Sequence, residues 1–207
     1  MLRAMAVSGV PSVVWANRPA AGSLPVGSEI LATDIGPLGT KFYTTGSAWV
    51  PVGGRVRLSR VCADATESTN NTIEFKTYGI LIPAGLLATG CEVQVVQEWT
   101  YPNSANSKTF RVRFGAANDL TGTVMAAPTF TTTATEQQLH NFRIADSGVA
   151  AQTGMATAIA LAYTTSSSAP ATATVNTAND SYIVISSQRT LGTEAVVCKA
   201  YSVDIFW

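Results

Sequence analysis

The periodicity of the apolar residues constrains this chain more than any other feature. Nowhere in its 207 residues do apolar side chains recur at i, i+3, i+4 and i+7 over the roughly ten positions that a good helix needs. Alternation of period two recurs instead, as in EVQVVQEWTY at 92–101 and KTFRVRFGA at 108–116. Strands are expected at 72–78, 80–83, 91–101, 108–115, 123–134, 138–145, 155–164, 171–175, 181–187 and 194–206, with turn residues between them. So many short strands over about 150 residues fit two packed antiparallel sheets of jelly-roll type. The expected fold class is all-β.

A change of texture near PVGGRV, at 51–56, divides the chain. Residues 1–58 are expected to form an anchoring region and residues 59–207 a jelly-roll knob. In the first part EILATDI, KFYTT and AWVPV, separated by GPLGT and GS, read as a small three-stranded meander. Residues 1–28, carrying Pro11, Pro19 and Pro25, read as an extended arm that becomes ordered on another surface. A unit with so few apolar residues is marginal by itself, so a partner or a larger assembly is expected to hold it.

Composition narrows the function. Thirteen basic residues balance thirteen acidic ones, which leaves no global field to draw nucleic acid or an anionic membrane. Charged residues make up 13%, about half the usual quarter, so the surface depends on hydroxyls and amides or is covered by partners. The longest apolar run, ILIPAGLLA at 80–88, contains a proline and a glycine and falls short of the ~20 residues of a bilayer span. Ser8, Gly9 and Pro11 interrupt the apolar block that a signal peptide requires. The expectation is no nucleic-acid partner and no membrane.

Catalytic chemistry is hard to assemble from these residues. A serine or cysteine nucleophile needs a base, and the one histidine, His140, lies between Leu139 and Phe142 in a strand candidate. Cys62, Cys91 and Cys198 are odd in number and widely spaced, which reads as free thiols rather than a disulfide framework or a zinc site. A bridge between Cys62 and Cys198, in the expected first and last strands of the knob, is the one alternative. ANDLTG and TANDS lack the repeated ligands of a calcium loop, and the glycine pairs form neither a P-loop nor a dinucleotide fingerprint. No catalytic residue, cofactor or metal is expected.

Two stretches stand out as candidate contact sites. EWTYPNSANSKTFRVRF, at 98–114, reads as a hairpin in which Trp99 faces Phe110, Val95 faces Phe114 and Gln97 faces Val112. That register sets Glu98 opposite Arg111 on the other face, so Arg111 and Arg113 read as a solvated strand side rather than a phosphate grip. Its tip residues Tyr101, Asn103, Asn106 and Lys108 would be the contacts if the protein bound a glycan. In MATAIALAY, Ala156, Ala158, Ala160 and Ala162 share one strand face, which calls for close approach by the opposite sheet or by another subunit.

RPAAGSLPVGSEILATDIGPLGTKFYTTGSAWVPVGG, at 18–54, resembles a short module near the start of tailed-bacteriophage virion proteins, in which an RPAAG arm leads into a hairpin and a Trp-Val-Pro-Val strand. Residues 80–116, from ILIPAGLLATG to the NSANSKT segment, are similar to the jelly-roll part of phage head-fibre, decoration and tail-fibre proteins. The resemblance implies a homotrimeric, non-enzymatic appendage of the virion, assembled in the host bacterial cytoplasm. Residues 1–58 would then attach to other virion proteins of the capsid or tail. Capsid decoration or a short head fibre is favoured, because the chain has no heptads or shaft repeats to give a tail fibre its reach. A tail fibre, or a module that binds a host surface glycan, is the alternative.

Overall fold

The computed structural model describes residues 9–67, 71–131, 138–148, 150–156 and 170–207. Those residues contain no α-helix, only strands and two 3-10 turns at 15–17 and 21–23. The first strands are β1 (Ser12–Val13), β2 (Glu29–Ala32), β3 (Thr40–Thr44) and β4 (Trp49–Pro51), which make one sheet in that order. There follow β5 (Arg55–Val61), β6 (Ala65–Thr66), β7 (Phe75–Ile82), β8 (Glu92–Thr100), β9 (Lys108–Gly115), β10 (Thr123–Ala126), β11 (Thr129–Phe130) and β12 (Gln138–Gly148). The last are β13 (Ala151–Ala156), β14 (Pro170–Ala173), β15 (Ser181–Arg189) and β16 (Val197–Phe206).

Two larger sheets carry the strand orders β14-β13-β12-β8-β16-β5 and β10-β9-β15-β7. Tracing the chain, β5, β7, β8 and β9 lie in alternate sheets, β9 and β10 form a hairpin, and the path then crosses back to β12. It returns to the second sheet in β15 and ends in the first in β16. Those eight strands form the jelly-roll sandwich, with β13 and β14 widening one sheet. Between the sheets, Val93, Val95 and Trp99 of β8 and Val203 and Ile205 of β16 face Phe110, Val112 and Phe114 of β9 and Ile183 and Ile185 of β15. Each such side chain, fully buried, stabilises the fold by about 1.5–3 kcal/mol before entropy is counted.

This topology overturns the expected hairpin. β8 pairs with β12 and β16, which places Gln138 and Cys198 opposite Trp99, while β9 pairs with β15 and β10. Trp99 does meet Phe110, but across the sandwich, with stacked rings 4.6 Å apart. The inward residues of two strands match equally well whether the strands are hydrogen-bonded neighbours or lie face to face in two layers. Alternation alone therefore could not distinguish the two arrangements.

The extended arm is also corrected. Residues 9–28 wrap their own chain: β1 pairs in parallel with β2, and the backbone N–H of Trp15 donates to Asp34 Oδ1 at 2.8 Å. Trp15 is 2% exposed and lies 4.6 Å from the Phe42 ring. Its indole N–H donates to the Ala84 carbonyl at 3.1 Å, and Arg18, stacked 4.0 Å over the indole, donates to the same carbonyl at 3.3 Å. Ala84 belongs to the turn after β7, which is itself fixed by its N–H donating to Asp180 Oδ1. Gly85 has a φ of +66°, and a Cβ there would come within 2.9 Å of the Arg18 guanidinium. The small sheet thus gains burial from the sandwich. The seam between the two lies at the Gly53–Gly54 turn, and β5 runs through the boundary expected at residue 58.

Candidate interaction surfaces

Two of the four residues expected at an exposed tip are interior. Lys108 has no exposed surface; its ammonium lies 3.1 Å from Glu194 and donates to Ser104 Oγ at 2.6 Å. Ser104 donates to Glu194 in a very short contact, and Asn106 Nδ2 donates to the same carboxylate at 2.9 Å. Tyr101 is buried, its ring 5.4 Å from Phe110 and 5.9 Å from Phe130. Of the four, Asn103 is exposed and Asn106 partly so. The glycan-contact assignment of Tyr101 and Lys108 is therefore wrong. The signal that could have placed Lys108 was the alternation itself, since 108, 110, 112 and 114 share the inward face of β9.

The Ser104–Lys108 contact has the residue types of a serine–lysine nucleophile pair, but the carboxylate changes its meaning. The Lys108 protons are directed to Glu194 and Ser104, and the Ser104 proton is directed to Glu194, so the hydroxyl bridges two charges. The cluster ties the 101–107 loop to the 190–196 loop. Burial would push the Glu194 carboxyl up, but hydrogen bonds from Ser104, Asn106 and Lys108 hold it below the usual carboxylate range. Beside it Arg189, equally buried, pairs with Glu67 at 3.3 Å and donates to the Glu194 carbonyl.

Arg111 and Arg113 also have a different partner from the one expected. Glu98 lies in the other sheet, and both arginines meet Glu74, which precedes β7: Arg113 through two hydrogen bonds of 2.8 and 2.6 Å, Arg111 at 3.6 Å. Ser186 Oγ adds a third hydrogen bond at 2.5 Å. Burial opposes ionisation of Glu74, yet these donors bring its pKa below the ordinary value. The arginines are committed to this carboxylate, so the solvated basic face expected there is a closed ion-pair cluster.

Most of the exposed large apolar residues among those described belong to the N-terminal module. Among the described residues, Val14, Val26, Leu38, Tyr43 and Val52 are large hydrophobics exposed in residues 9–54, against Ile73, Leu81 and Leu191 in the sandwich. Leu38 is 95% exposed and Val26 74%. Strand alternation explains Tyr43, since Ile30, Ala32, Phe42, Thr44 and Trp49 face inward, which turns Leu31, Tyr43 and Val50 outward, whereas Val14, Val26, Leu38 and Val52 lie in the turns and connections around the strands. Register sets Tyr43 beside Val50 and Glu29, and Lys41 beside Leu31, with a Lys41–Glu29 ion pair of 2.6 Å across the face.

Ala158, Ala160 and Ala162 lie outside the described residues, as does the side chain of Ala156, the last residue of β13; the close-packing face expected there is thus not described. The side chain of His140 lies outside them too. Cys62 and Cys198 are free thiols and form no bridge with each other; Cys62 is exposed, and burial pushes the Cys198 thiol up to about 12, which keeps it un-ionised and unreactive at neutral pH. Among the described residues no group of three or more His, Cys, Asp or Glu could hold a metal ion, and no helix is long and apolar enough to cross a membrane.

No protein-family model matches the chain, and no curated protein does. Among solved structures, two of infectious bursal disease virus are similar to this chain at low TM-scores. The Gx strain structure is 8% identical with a TM-score of 0.36, and the Gt strain structure 11% identical with 0.37. Each comparison covers 81% of this chain, which spans less than half of the viral chains, 41% and 43% of them.

Proposed function

We propose that this chain is a non-enzymatic structural protein of a bacteriophage particle, a homotrimeric decoration or head-fibre protein that attaches through the outer face of its N-terminal sheet. The observation that carries the reading is the exposed apolar set Val14, Val26, Leu38, Tyr43 and Val52, one in a strand and four in the connections of an N-terminal module that is itself fixed to the sandwich. Large apolar side chains left in water on a rigid support are the usual mark of an interface. The resemblance adds support, because the segments that carry it touch one another. Trp49 of the Trp-Val-Pro-Val strand donates to the carbonyl of Pro19 in RPAAG at 2.9 Å, and Arg18 reaches Ala84 of the PAGLL turn. A tail-fibre position is the other form of the same reading.

Complementation of a phage that lacks this chain tests the proposal. Wild-type protein supplied by the host should copurify with particles, and a Tyr43→Asp/Val52→Asp double variant of unchanged melting temperature should remain free. Normal incorporation of the variant, or absence of the wild type from particles, would overturn the attachment. Light scattering of the purified chain should give three times the mass of one copy, and a monomer mass would remove the trimer.

A further inference from the structure

A row of arginines runs along β5, the strand at one edge of the seven-stranded sheet. Register with β16 sets Arg55 beside Phe206, Arg57 beside Asp204 and Arg60 beside Ser202. Val203 and Ile205 face the core, so these partners lie on the outer face, and the arginines with them. Strict alternation would have turned Arg60 inward. The register shift between Val203 and Asp204, which adds Leu58 to β5, returns it to the face of the other two.

The charges of the row do not cancel. Asp204, 1% exposed, accepts from Arg55 Nε at 3.1 Å and Nη2 at 3.0 Å and from Arg57 Nε at 3.0 Å. One carboxylate balances one of these arginines, and Arg60, which is exposed, has no ion-pair partner among the described residues. Glu92 and Glu98 stand on β8, beyond β16, and Asp34 in the neighbouring turn accepts from the Trp15 N–H. Positive charge is thus left over on the outer face. Asp204 also fixes where it points. It holds Arg57 by Nε alone, which leaves both Nη groups for a partner, and the side chains of Arg55 and Arg57 remain 45% and 36% exposed. Donors held in place before a partner arrives lose little entropy on binding.

The row adjoins the N-terminal module. A Cβ on Gly36 would lie 2.7 Å from the Arg57 carbonyl, so the turn between β2 and β3 packs against β5. Leu38, 95% exposed, is two residues further along that turn, and Val52, 49% exposed, is three residues before Arg55. Resting on the attachment proposed above, we infer that the partner is a protein surface carrying carboxylates beside an apolar spot, and that Arg57 and Arg60 pair with those carboxylates. Guanidinium groups match carboxylates in two-pronged geometry, and arginine is enriched at protein interfaces. Nucleic acid fits less well. Three arginines in a chain with no net charge give few phosphate contacts, and Leu38 and Val52 find nothing apolar on a phosphate backbone.

The test measures binding of the purified full chain to phage particles that lack it, by cosedimentation at about 50 and about 500 mM sodium chloride. Affinity should fall about tenfold at the higher salt. At low salt Arg60→Glu should lose about tenfold and Arg57→Gln should weaken in the same direction, in variants whose melting temperatures match the wild type. Arg60→Lys, which keeps the charge, should stay within about threefold of the wild type. If Arg60→Glu binds as well as the wild type, or salt leaves binding unchanged, while Tyr43→Asp/Val52→Asp does not bind, the acidic partner is overturned and the attachment stands. If the wild type itself does not bind, both fall together. A gel shift of double-stranded DNA by the wild type that Arg60→Glu abolishes would also overturn the acidic protein partner, in favour of nucleic acid.

Discussion

Replacing Trp15 with alanine tests whether the N-terminal sheet is part of the folded body or an appendage to it. The side chain is almost fully buried, packs on Phe42, carries Arg18 on its face and donates to the turn at Ala84. Removing a buried Trp costs roughly 3–5 kcal/mol. At roughly 2–4 °C per kcal/mol for a chain of this size, the midpoint should fall by about 6–20 °C. A Trp15→Phe variant keeps most of the burial and loses only the N–H to Ala84, which predicts a smaller cost of about 0.5–1.5 kcal/mol.

The assay is calorimetry paired with near-ultraviolet circular dichroism. If the sheet and sandwich unfold together, both probes should show one transition that moves as a whole in the alanine variant. Two transitions, with the larger unmoved by Trp15→Ala, would refute the coupling and restore the idea of an independent arm.

The buried pair of Lys108 and Glu194 should behave asymmetrically. Glu194→Leu alone strands a buried ammonium and should cost about 3–5 kcal/mol, whereas Glu194→Leu with Lys108→Met should recover most of that in urea titrations. Stability should fall in acid. The Glu74 and Glu194 carboxyls are lowered in the folded state, so their contribution is full above the unfolded value near pH 4.3 and is lost as pH drops through the folded one. Glu74→Gln and Glu194→Gln variants should flatten that dependence in melts recorded across pH 2–6. Gly79→Ala would put a Cβ 1.6 Å from Asn118 Oδ1, so the exposed Asn118 amide must swing aside and leave Lys76, which should cost little stability, and an added Asn118→Ala should remove even that loss. Gln97 is wholly buried with neither amide atom bonded, so Gln97→Met should raise the melting midpoint by the equivalent of about 1 kcal/mol.

The sequence carried the fold class well, because period two is a property of each strand alone. The segments expected at 91–101, 108–115 and 181–187 correspond to β8, β9 and β15 within two residues at each end. The segments expected at 72–78 and 80–83 are one strand, β7, since Gly79 does not break it: the glycine makes room for Asn118 instead of a turn. What alternation does not encode is which layer a strand joins. Trp99 and Phe110 were legible as partners on an inward face, but hydrogen-bonded neighbours and stacked layers bury the same residues.

The candidate sites were less legible for a related reason. Lys108 and Asn106 look like surface residues by type, and it is Glu194, distant in the chain, that makes one of them a core residue and the other its support. Glu98 and Glu74 are equally plausible partners for Arg111 until the sheet assignment excludes the first. The apolar outer face of the small sheet was closer to view, since Tyr43 and Val50 alternate with Phe42 and Trp49 within short strands. Hidden from the sequence was that Trp15 and Arg18 fix that sheet to the turn at Ala84. That docking is what gives the exposed face its meaning. On a floppy arm, Val26 and Leu38 would be ordinary exposed residues of a segment that folds when it binds. On the turns of a module already ordered, they would offer apolar area to the proposed partner at little further entropic cost, which would favour rapid rigid docking over coupled folding.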